Sequence, residues 1–408
     1  MKKNIYFYVF LWLLFTVLQN SCKTVEKKFN LEIVKEHVIL NDISLTFSGD
    51  IMAHDVNFNM KDYNKIYDDV RDILLNDDLS FGNVEMPVCD ELPLSTYPRF
   101  NVHSSYLHAA ALNGFDVFSF ANNHTNDKME KGIEGTHKSF SSVKADIFKA
   151  TNRNIFYSGI KQKKGEDFKP VFIEKNGFKI LFLSITEILN SHDGSKDLVY
   201  YSEPSLKGRN ILIEKIRTIR EKNPCDIFIL SLHLYEAEYG LKVSIQKKKW
   251  FNRLAEAGID VIWAHHPHVL QGWETFDVEN KISEDNSHFY DNTYNENIEI
   301  QKSYRKVFVM YSMGNFISGQ RVKLNYKEPD HYREYTGDSA LMQLKFKKIN
   351  GIMVNSIEIT PFLITAYKSK YGIVIKKFTD EWIQSLPEKE KIYYLKRLQF
   401  MKNYLPLE

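Results

Sequence analysis

From Ile43 onward, short apolar β-rich runs alternate with stretches of helical spacing. Ile43–Ser48, Leu79–Asn83, Val117–Phe120, Phe178–Ile185, Ile227–Leu232, Val261–Trp263 and Val307–Tyr311 predict buried strands. Between them, Asp62–Leu75, Tyr106–Asn113, Lys128–Val143, Ser205–Glu221 and Ser244–Ala257 carry the three-to-four-residue apolar period of helices. Strands alternating with helices predict an α/β architecture. Ala340–Lys347 and Met353–Thr360 then alternate apolar and polar residues with no helix between them, which predicts an antiparallel hairpin at a sheet edge and therefore a mixed sheet. Ser283–Ser303 is rich in Asn, Asp, Glu and Tyr without usable period and reads as an inserted surface loop. Asp380–Asn403 is a charged helical pattern, read as part of a covering helix over 379–408.

The start of the chain has a different character. Lys2 and Lys3 precede an apolar run, Ile5–Leu18, that is short for a membrane span and is followed by Gln19-Asn20-Ser21-Cys22. This order predicts a signal peptide over 1–21 and a lipidated spacer over 22–42, with the globular domain over 43–378. Leu18 lies four positions before Cys22, one more than the usual lipoprotein signal, and the alternative is an uncleaved membrane anchor. Both readings put the domain outside the cytoplasm, in the cell envelope.

Charge adds little. Lys and Arg number 54 against 52 Asp and Glu, a formal net charge of +2 over 408 residues, which argues against an electrostatic nucleic-acid binder. Beyond Cys22, only Cys89 and Cys225 remain, too few for a disulfide framework; they read as free thiols or as a single bridge.

Candidate chemistry gathers at predicted strand ends, where open α/β sheets place their ligands. Ile43–Ser48 leads into Gly49-Asp50, Leu79–Asn83 into Val84-Glu85, and Val117–Phe120 into Asn122-Asn123-His124. Ile227–Leu232 leads into His233, and Val261–Trp263 into His265-His266-Pro267-His268. Alone, Asp50 reads as a turn residue and His233 as a hydrogen-bonded core histidine, whereas His266 and His268, two apart on extended backbone, project to the same side, with a surface pair as the alternative. Together they supply the carboxylate, amide and imidazole mixture that suits two divalent cations, and hence two-metal hydrolysis.

Six segments now occur in an order that resembles a known family. Gly49-Asp50-Ile51-Met52, Gly82-Asn83-Val84-Glu85, Ala121-Asn122-Asn123-His124 with Asp127, Ser231-Leu232-His233 followed by Glu238-Tyr239, His266-Pro267-His268-Val269-Leu270-Gln271 and Ser312-Met313-Gly314-Asn315-Phe316 are similar to the signatures of CapA-type capsule and poly-γ-glutamate synthesis proteins. The resemblance covers about residues 43–320 and implies a calcineurin-like metallophosphoesterase fold, two mixed β-sheets packed as a sandwich and flanked by helices in four αββα layers. It implies Asp50, Asn123, His233, His266 and His268 as metal ligands, with Glu85 or Asn83 where the phosphoesterases place a bridging Asp. His124 is implied as proton donor or oxyanion stabiliser, with Asp127 the accompanying catalytic candidate. Two divalent ions (Mn, Zn or Fe) are the expected cofactors. The pattern departs at Met52, which stands where the phosphoesterases have His, with His54 at a different offset as a substitute, and at Asn83. Two functions follow: a membrane-anchored metal-dependent hydrolase or phosphoesterase in capsule or poly-γ-glutamate-type polymer synthesis, or a non-catalytic accessory protein binding anionic polymer during synthesis or export. The expected partners are an anionic envelope polymer or phosphoester substrate, the membrane through a lipid anchor, and a polymer-synthesis complex.

Overall fold

The computed structural model describes residues 39–279 and 303–407. The leader (1–21), most of the spacer (22–42) and most of the 283–303 insertion lie outside the described residues. In chain order the elements begin with β1 (Leu40–Ile51), α1 (Asp55–Phe58), α2 (Arg71–Leu75), β2 (Leu79–Val84), α3 (Ser104–Leu112), β3 (Phe115–Ser119), α4 (Met129–Thr151) and β4 (Phe156–Ser158). There follow β5 (Val171–Lys175), β6 (Phe178–Thr186), α5 (Leu206–Lys222), β7 (Ile227–His233), α6 (Ile245–Glu256), β8 (Val261–His265) and β9 (Trp273–Glu279). The last group is β10 (Tyr304–Met310), β11 (Asn315–Ile317), β12 (Asp338–Ile349), β13 (Ile352–Met353), β14 (Glu358–Ser369), β15 (Gly372–Lys377), α7 (Asp380–Gln384) and α8 (Glu388–Tyr404).

Two mixed sheets result. One runs β15-β14-β12-β1-β2-β3-β4, with β11 beside β1 and β13 beside β12; the other runs β5-β6-β7-β8-β10-β9. Period two decides what lies between them. Ile43, Leu45 and Phe47 of β1, Ile180 and Phe182 of β6, Ile227 and Ile229 of β7, and Val261 and Trp263 of β8 share one apolar cluster. The alternate residues of β6, β7 and β8 pack outward on α5 and α6, through Ile216 and Leu254 among others. On the other side of the sandwich, α3 and α4 cover the first sheet through Leu107, Phe140 and Ile147. The αββα layering is thus the structural consequence of strands buried on both faces. Ser205 caps α5 and Ser244 caps α6 by accepting from Gly208 N and Lys247 N, which fixes both helix starts after loops. Among the described residues no helix is long and apolar enough to cross a membrane.

Some local expectations are revised. Asp62–Leu75 is not one helix: Asp62 accepts from Asn64 N and sets a 3₁₀ turn over Tyr63–Ile66, so the α-helix begins only at Arg71. Asp380–Asn403 is broken before Pro387, and the second half, α8, places Tyr394, Leu398 and Met401 in the cluster between the sheets. The edge hairpin continues into a third strand, β15, paired to β14 from Ile364–Lys377 to Ser369–Gly372. Cys89 and Cys225 are both free thiols.

Candidate functional site

Along the inter-sheet face, the side chains change from apolar to hydroxyl to ligand type toward the carboxyl ends of the strands. In β7 the same face carries Ile227, Ile229, Ser231 and His233; in β8 it carries Val261, Trp263 and His265. Ser231, Ser119 and Ser184 form a buried hydroxyl chain, with Oγ–Oγ distances of 2.9 and 2.7 Å. Beyond it stand the imidazoles.

Asp50 reaches this face because β1 is irregular. Phe47 pairs with Phe81 but Asp50 with Asn83, so β1 spends one residue more than β2 over the same span, a β-bulge. Strict alternation from Phe47 would turn Asp50 away; the bulge turns it inward, where Oδ1 accepts from Asn83 Nδ2 at 2.8 Å. The bulge needs Gly49: a Cβ there would land on the Gly314 carbonyl oxygen and lie 2.8 Å from Phe316 N. Asp50 N donates to Gly314 O at 2.9 Å, and Gly314 itself has φ +63, so both glycines serve one close backbone crossing.

Asp50, Glu85 and His233 each offer a ligand atom within 4.8 Å of one another, and all three are fully buried. His233 Nε2 is 3.9 Å from Glu85 Oε1, and His268 Nδ1 is 3.7 Å from Asp50 Oδ2. Around them an unusual number of buried atoms has no hydrogen-bond partner: Asp50 Oδ2, both Glu85 oxygens, both nitrogens of His233 and His265, His266 Nδ1 and Asn123 Oδ1. Each such atom costs about 1–3 kcal/mol if nothing meets it. The set fits a divalent cation, since the carboxylate and amide oxygens and one nitrogen of each imidazole offer lone pairs.

The electrostatics agree with that chemistry. Burial, followed by His266, holds His233 well below the ordinary imidazole value, and burial with His268 brings His266 down to about 3, so both rings are neutral. Burial pushes Asp50 up, but His265 and His268 outweigh it and hold the carboxyl well below its usual range. Glu85 moves the other way, raised by burial and by the Asp50 charge. A cation held by these residues would relieve that repulsion.

The neighbouring groups set tautomers. Asn315 Nδ2 donates to Ser318 Oγ, Gln320 Oε1 and Thr336 O, so its Oδ1 is an acceptor; it lies 3.0 Å from His268 Nδ1. That assigns the His268 proton to Nδ1 and leaves Nε2 as the lone pair. His266 adopts φ +97, a conformation strained for a non-glycine residue, immediately before Pro267.

His124 and Asp127 form a separate dyad. Asp127 Oδ2 lies 2.7 Å from His124 Nδ1 and also accepts from Phe100 N at 2.8 Å. The edge of Phe100 packs on the His124 ring at 4.7 Å between centroids. Asn190 Nδ2 approaches the same ring at 3.0 Å, and Asn190 Oδ1 accepts from Asn123 Nδ2 at 3.3 Å. A cavity of about 280 Å³ opens here, lined by His124, Asp127, Asn123, Asn190, Arg99 and Glu238 among others.

The structure therefore brings Asp50, Glu85 and His233 into one cluster, sets His268 against Asp50 and His266 against His233, whose ring centroids are 5.1 Å apart, and places Asn123 beside His124 on the cavity wall. Neither Met52, at the position where the resemblance expects a histidine, nor His54, its expected substitute, offers an imidazole lone pair. Met52 is buried in the apolar cluster that faces α3 and α4. His54 Nδ1 accepts from Gly319 N at 2.9 Å, and burial, then His268, bring the ring down to about 4; neutral His54 thus carries its proton on Nε2 and offers a donor there. Sequence reasoning passed over His265, whose Nδ1 lies 2.9 Å from Asp50 Oδ1, although its parity with Val261 and Trp263 marks it as facing the second sheet. It also gave no role to Asn315.

Residues 44–320 match the family described as bacterial capsule synthesis protein PGA_cap. The chain is 28% identical to the capsule biosynthesis protein CapA of Bacillus anthracis over 297 residues, 68% of this chain and 60% of that protein's length. It is 26% identical to the PGA biosynthesis protein CapA of Bacillus subtilis over 325 residues, 78% of this chain and 71% of that protein. Among solved structures it is similar to the calcineurin-like phosphoesterase YfkN from Bacillus subtilis (14% identity, TM-score 0.38, 90% of this chain and 99% of that one). It is also similar to a hypothetical protein from Thermus thermophilus (14% identity, TM-score 0.37, 79% and 98%).

Proposed function

The chain belongs to the bacterial capsule synthesis protein family PGA_cap, and from that premise we propose that it is a metal-dependent hydrolase of the cell envelope, acting on an anionic polymer or phosphoester during capsule-type polymer synthesis. The single observation that carries the reading is the buried Asp50–Glu85–His233 cluster, whose ligand atoms lie within 4.8 Å of one another, beside the His124–Asp127 dyad. Asp50, Glu85, Asn123, His233, His266 and His268 would hold the ions, two in the dinuclear form. Bound there, divalent cations supply Lewis acidity and neutralise charge on a substrate oxygen.

The remaining work falls to the chain's own groups. Asp127 fixes the His124 ring and leaves Nε2 toward the reacting atoms, where it passes a proton to a leaving oxygen or supports an oxyanion. Arg99, on the same cavity wall, would meet a substrate anion. Inter-sheet packing excludes water from the ligand side. The amino-terminal Cys22 would tether the protein to the membrane by acylation.

One observation favours the second reading, a non-catalytic polymer-binding accessory. Met52 is packed among apolar side chains and Asn83 stands in for a carboxylate, so one cation position lacks ligands. The deciding test is elemental analysis of unchelated protein with phosphomonoester, phosphodiester and γ-glutamyl oligomer substrates, on parent, His268→Ala and His124→Ala proteins. Hydrolase action requires metal in the parent, loss of metal in His268→Ala, and retained metal with turnover down on the order of a hundredfold in His124→Ala. Negligible metal in the parent would remove the hydrolase reading and leave polymer binding.

A further inference from the structure

We infer that Lys247 is a positioning residue that locks the loop carrying His266 and His268 against the loop that follows His233. The lysine stands in the first turn of α6 with 6% of its surface exposed, a rare placement for an ammonium. Its three donors are used: Nζ bonds the Glu236 carboxylate, Gln271 Oε1 at 2.8 Å and Tyr311 O at 2.5 Å. Those acceptors lie on three separate segments, after β7, after β8 and after β10.

The bonds continue from the acceptors to the site. Gln271 Nε2 donates to Gly240 O at 2.6 Å, and Gln271 N to Ser312 O at 2.9 Å. Glu238 O accepts from His268 N at 2.7 Å, and Leu234 N donates to His265 O at 3.3 Å. Residues 234–240 thus hold the backbone on either side of His266, and Lys247 ties that stretch down at Glu236 and, through Gln271, at Gly240. Near Ser312 the same chain segment leads to Asn315, which sets the His268 tautomer. One buried ammonium therefore connects all three loops behind the imidazoles without touching a ligand side chain.

An ion pair with one buried and one half-buried partner adds little net stability over an apolar substitute, while removing Glu236 strands the buried ammonium. Its consequence here is geometric: metal ligands held by hydrogen-bonded supports keep their affinity, and loss of such supports lowers it about 10–100-fold. The effect on metal rests on the proposed hydrolase reading; the latch itself does not.

The test uses the full chain and two variants, Lys247→Met combined with Glu236→Gln, which removes both charges of the pair together, and Gln271→Leu, which leaves the ion pair intact. Amide hydrogen exchange on metal-free protein is read for peptides covering 234–241 and 264–272, with β6 and β7 as internal reference, and Zn²⁺ affinity is measured by calorimetry. The latch requires exchange at least about tenfold faster in both loops, with β6 and β7 unchanged, and Zn²⁺ binding about tenfold weaker or more. Gln271→Leu must move the same loops in the same direction, which decides the matter if the double variant does not fold. Loops that exchange as in the parent, in whichever variant folds, overturn the inference. Faster exchange in a protein whose parent binds no Zn²⁺ upholds the latch and removes the metal reading instead.

Discussion

Asp127→Asn isolates what the dyad carboxylate does, because a single oxygen of Asp127 serves both of its partners. Oδ2 takes the His124 ring at 2.7 Å and Phe100 N at 2.8 Å. An asparagine that presents its amide oxygen at that position keeps both contacts and loses only the charge, so fold and cavity survive. Hydrogen bonds to a charged acceptor are worth about 1.5–3 kcal/mol and neutral ones about 0.5–1.5, a loss of about 1–2 kcal/mol for the ring contact. When His124 is protonated in the reaction, that difference falls on the charged ring, and at about 1.4 kcal/mol per tenfold it lowers kcat by about 5–30-fold. Phe100 N is buried and keeps an acceptor, so melting should shift by only a few degrees. The assay is steady-state hydrolysis of the substrate found in the screen, with metal content measured on the same preparation. KM should stay within about twofold, since Asp127 acts through His124, and metal content should equal the parent's. A kcat unchanged from the parent would show that the carboxylate is only a structural acceptor for Phe100 N; loss of metal would show that the dyad is part of the ligand set. Either result refutes the assignment of His124 as an oriented proton donor.

Three further outcomes follow from single features. Gly49→Ala should fail to accommodate its Cβ against Gly314 O and open the β1–β11 crossing, lowering stability by about 1–3 kcal/mol and metal content with it, measured by thermal melting and elemental analysis; an alanine variant with parental melting and metal content would contradict the required close approach. Burial, opposed by Ser80 and reinforced by Asp116, raises Asp77 to about 7, so between about pH 4 and 7 the folded state keeps a proton that the unfolded chain has released, and its contribution to stability falls as pH rises through that window; Asp77→Asn should add up to ~4 kcal/mol in denaturant unfolding at pH 8 and almost nothing at pH 4, and equal effects at both would reject the cause. Cys22→Ser should move the protein from the membrane fraction to the soluble one or leave its leader attached, and a membrane-bound, fully processed serine variant would rule out acylation as the tether.

Local patterning was enough for the strands that build the sandwich and for the positions where they end. Buried β-runs such as Phe178–Ile185 and Ile227–Leu232 are apolar on both faces, a property that only a sheet covered on both sides explains, and their polar followers mark the site wherever the strands run parallel. The histidines and Asn123 were therefore legible as candidates. Helix boundaries around Asp62 and Pro387 were less so, because side-chain caps and a missing N–H act over two or three residues while apolar period is averaged over a turn or more.

Which of those candidates face one another is a matter the chain's order does not contain. The bulge after Phe47 reverses the parity of Asp50, and its cause lies 265 residues away, where the Gly314 backbone leaves no room for a side chain at position 49. His265 was hidden by its neighbours: in a run of three imidazoles over four positions, only the pairing of β8 with β7 and β10 shows that the first is the one in line with Trp263. Met52 had the spacing of a ligand and the surroundings of a core residue. The roles of Lys247 and Asn315 were equally invisible, since an ammonium on a charged helix and an amide in a glycine turn look like solvent-facing groups until packing removes the solvent. Sequence by itself determined the two-sided apolar strands and the residue types at their ends, because burial and period act locally along the chain. Tertiary structure decided the pairing, parity and tautomers of the site, because these depend on backbone approaches between segments hundreds of residues apart.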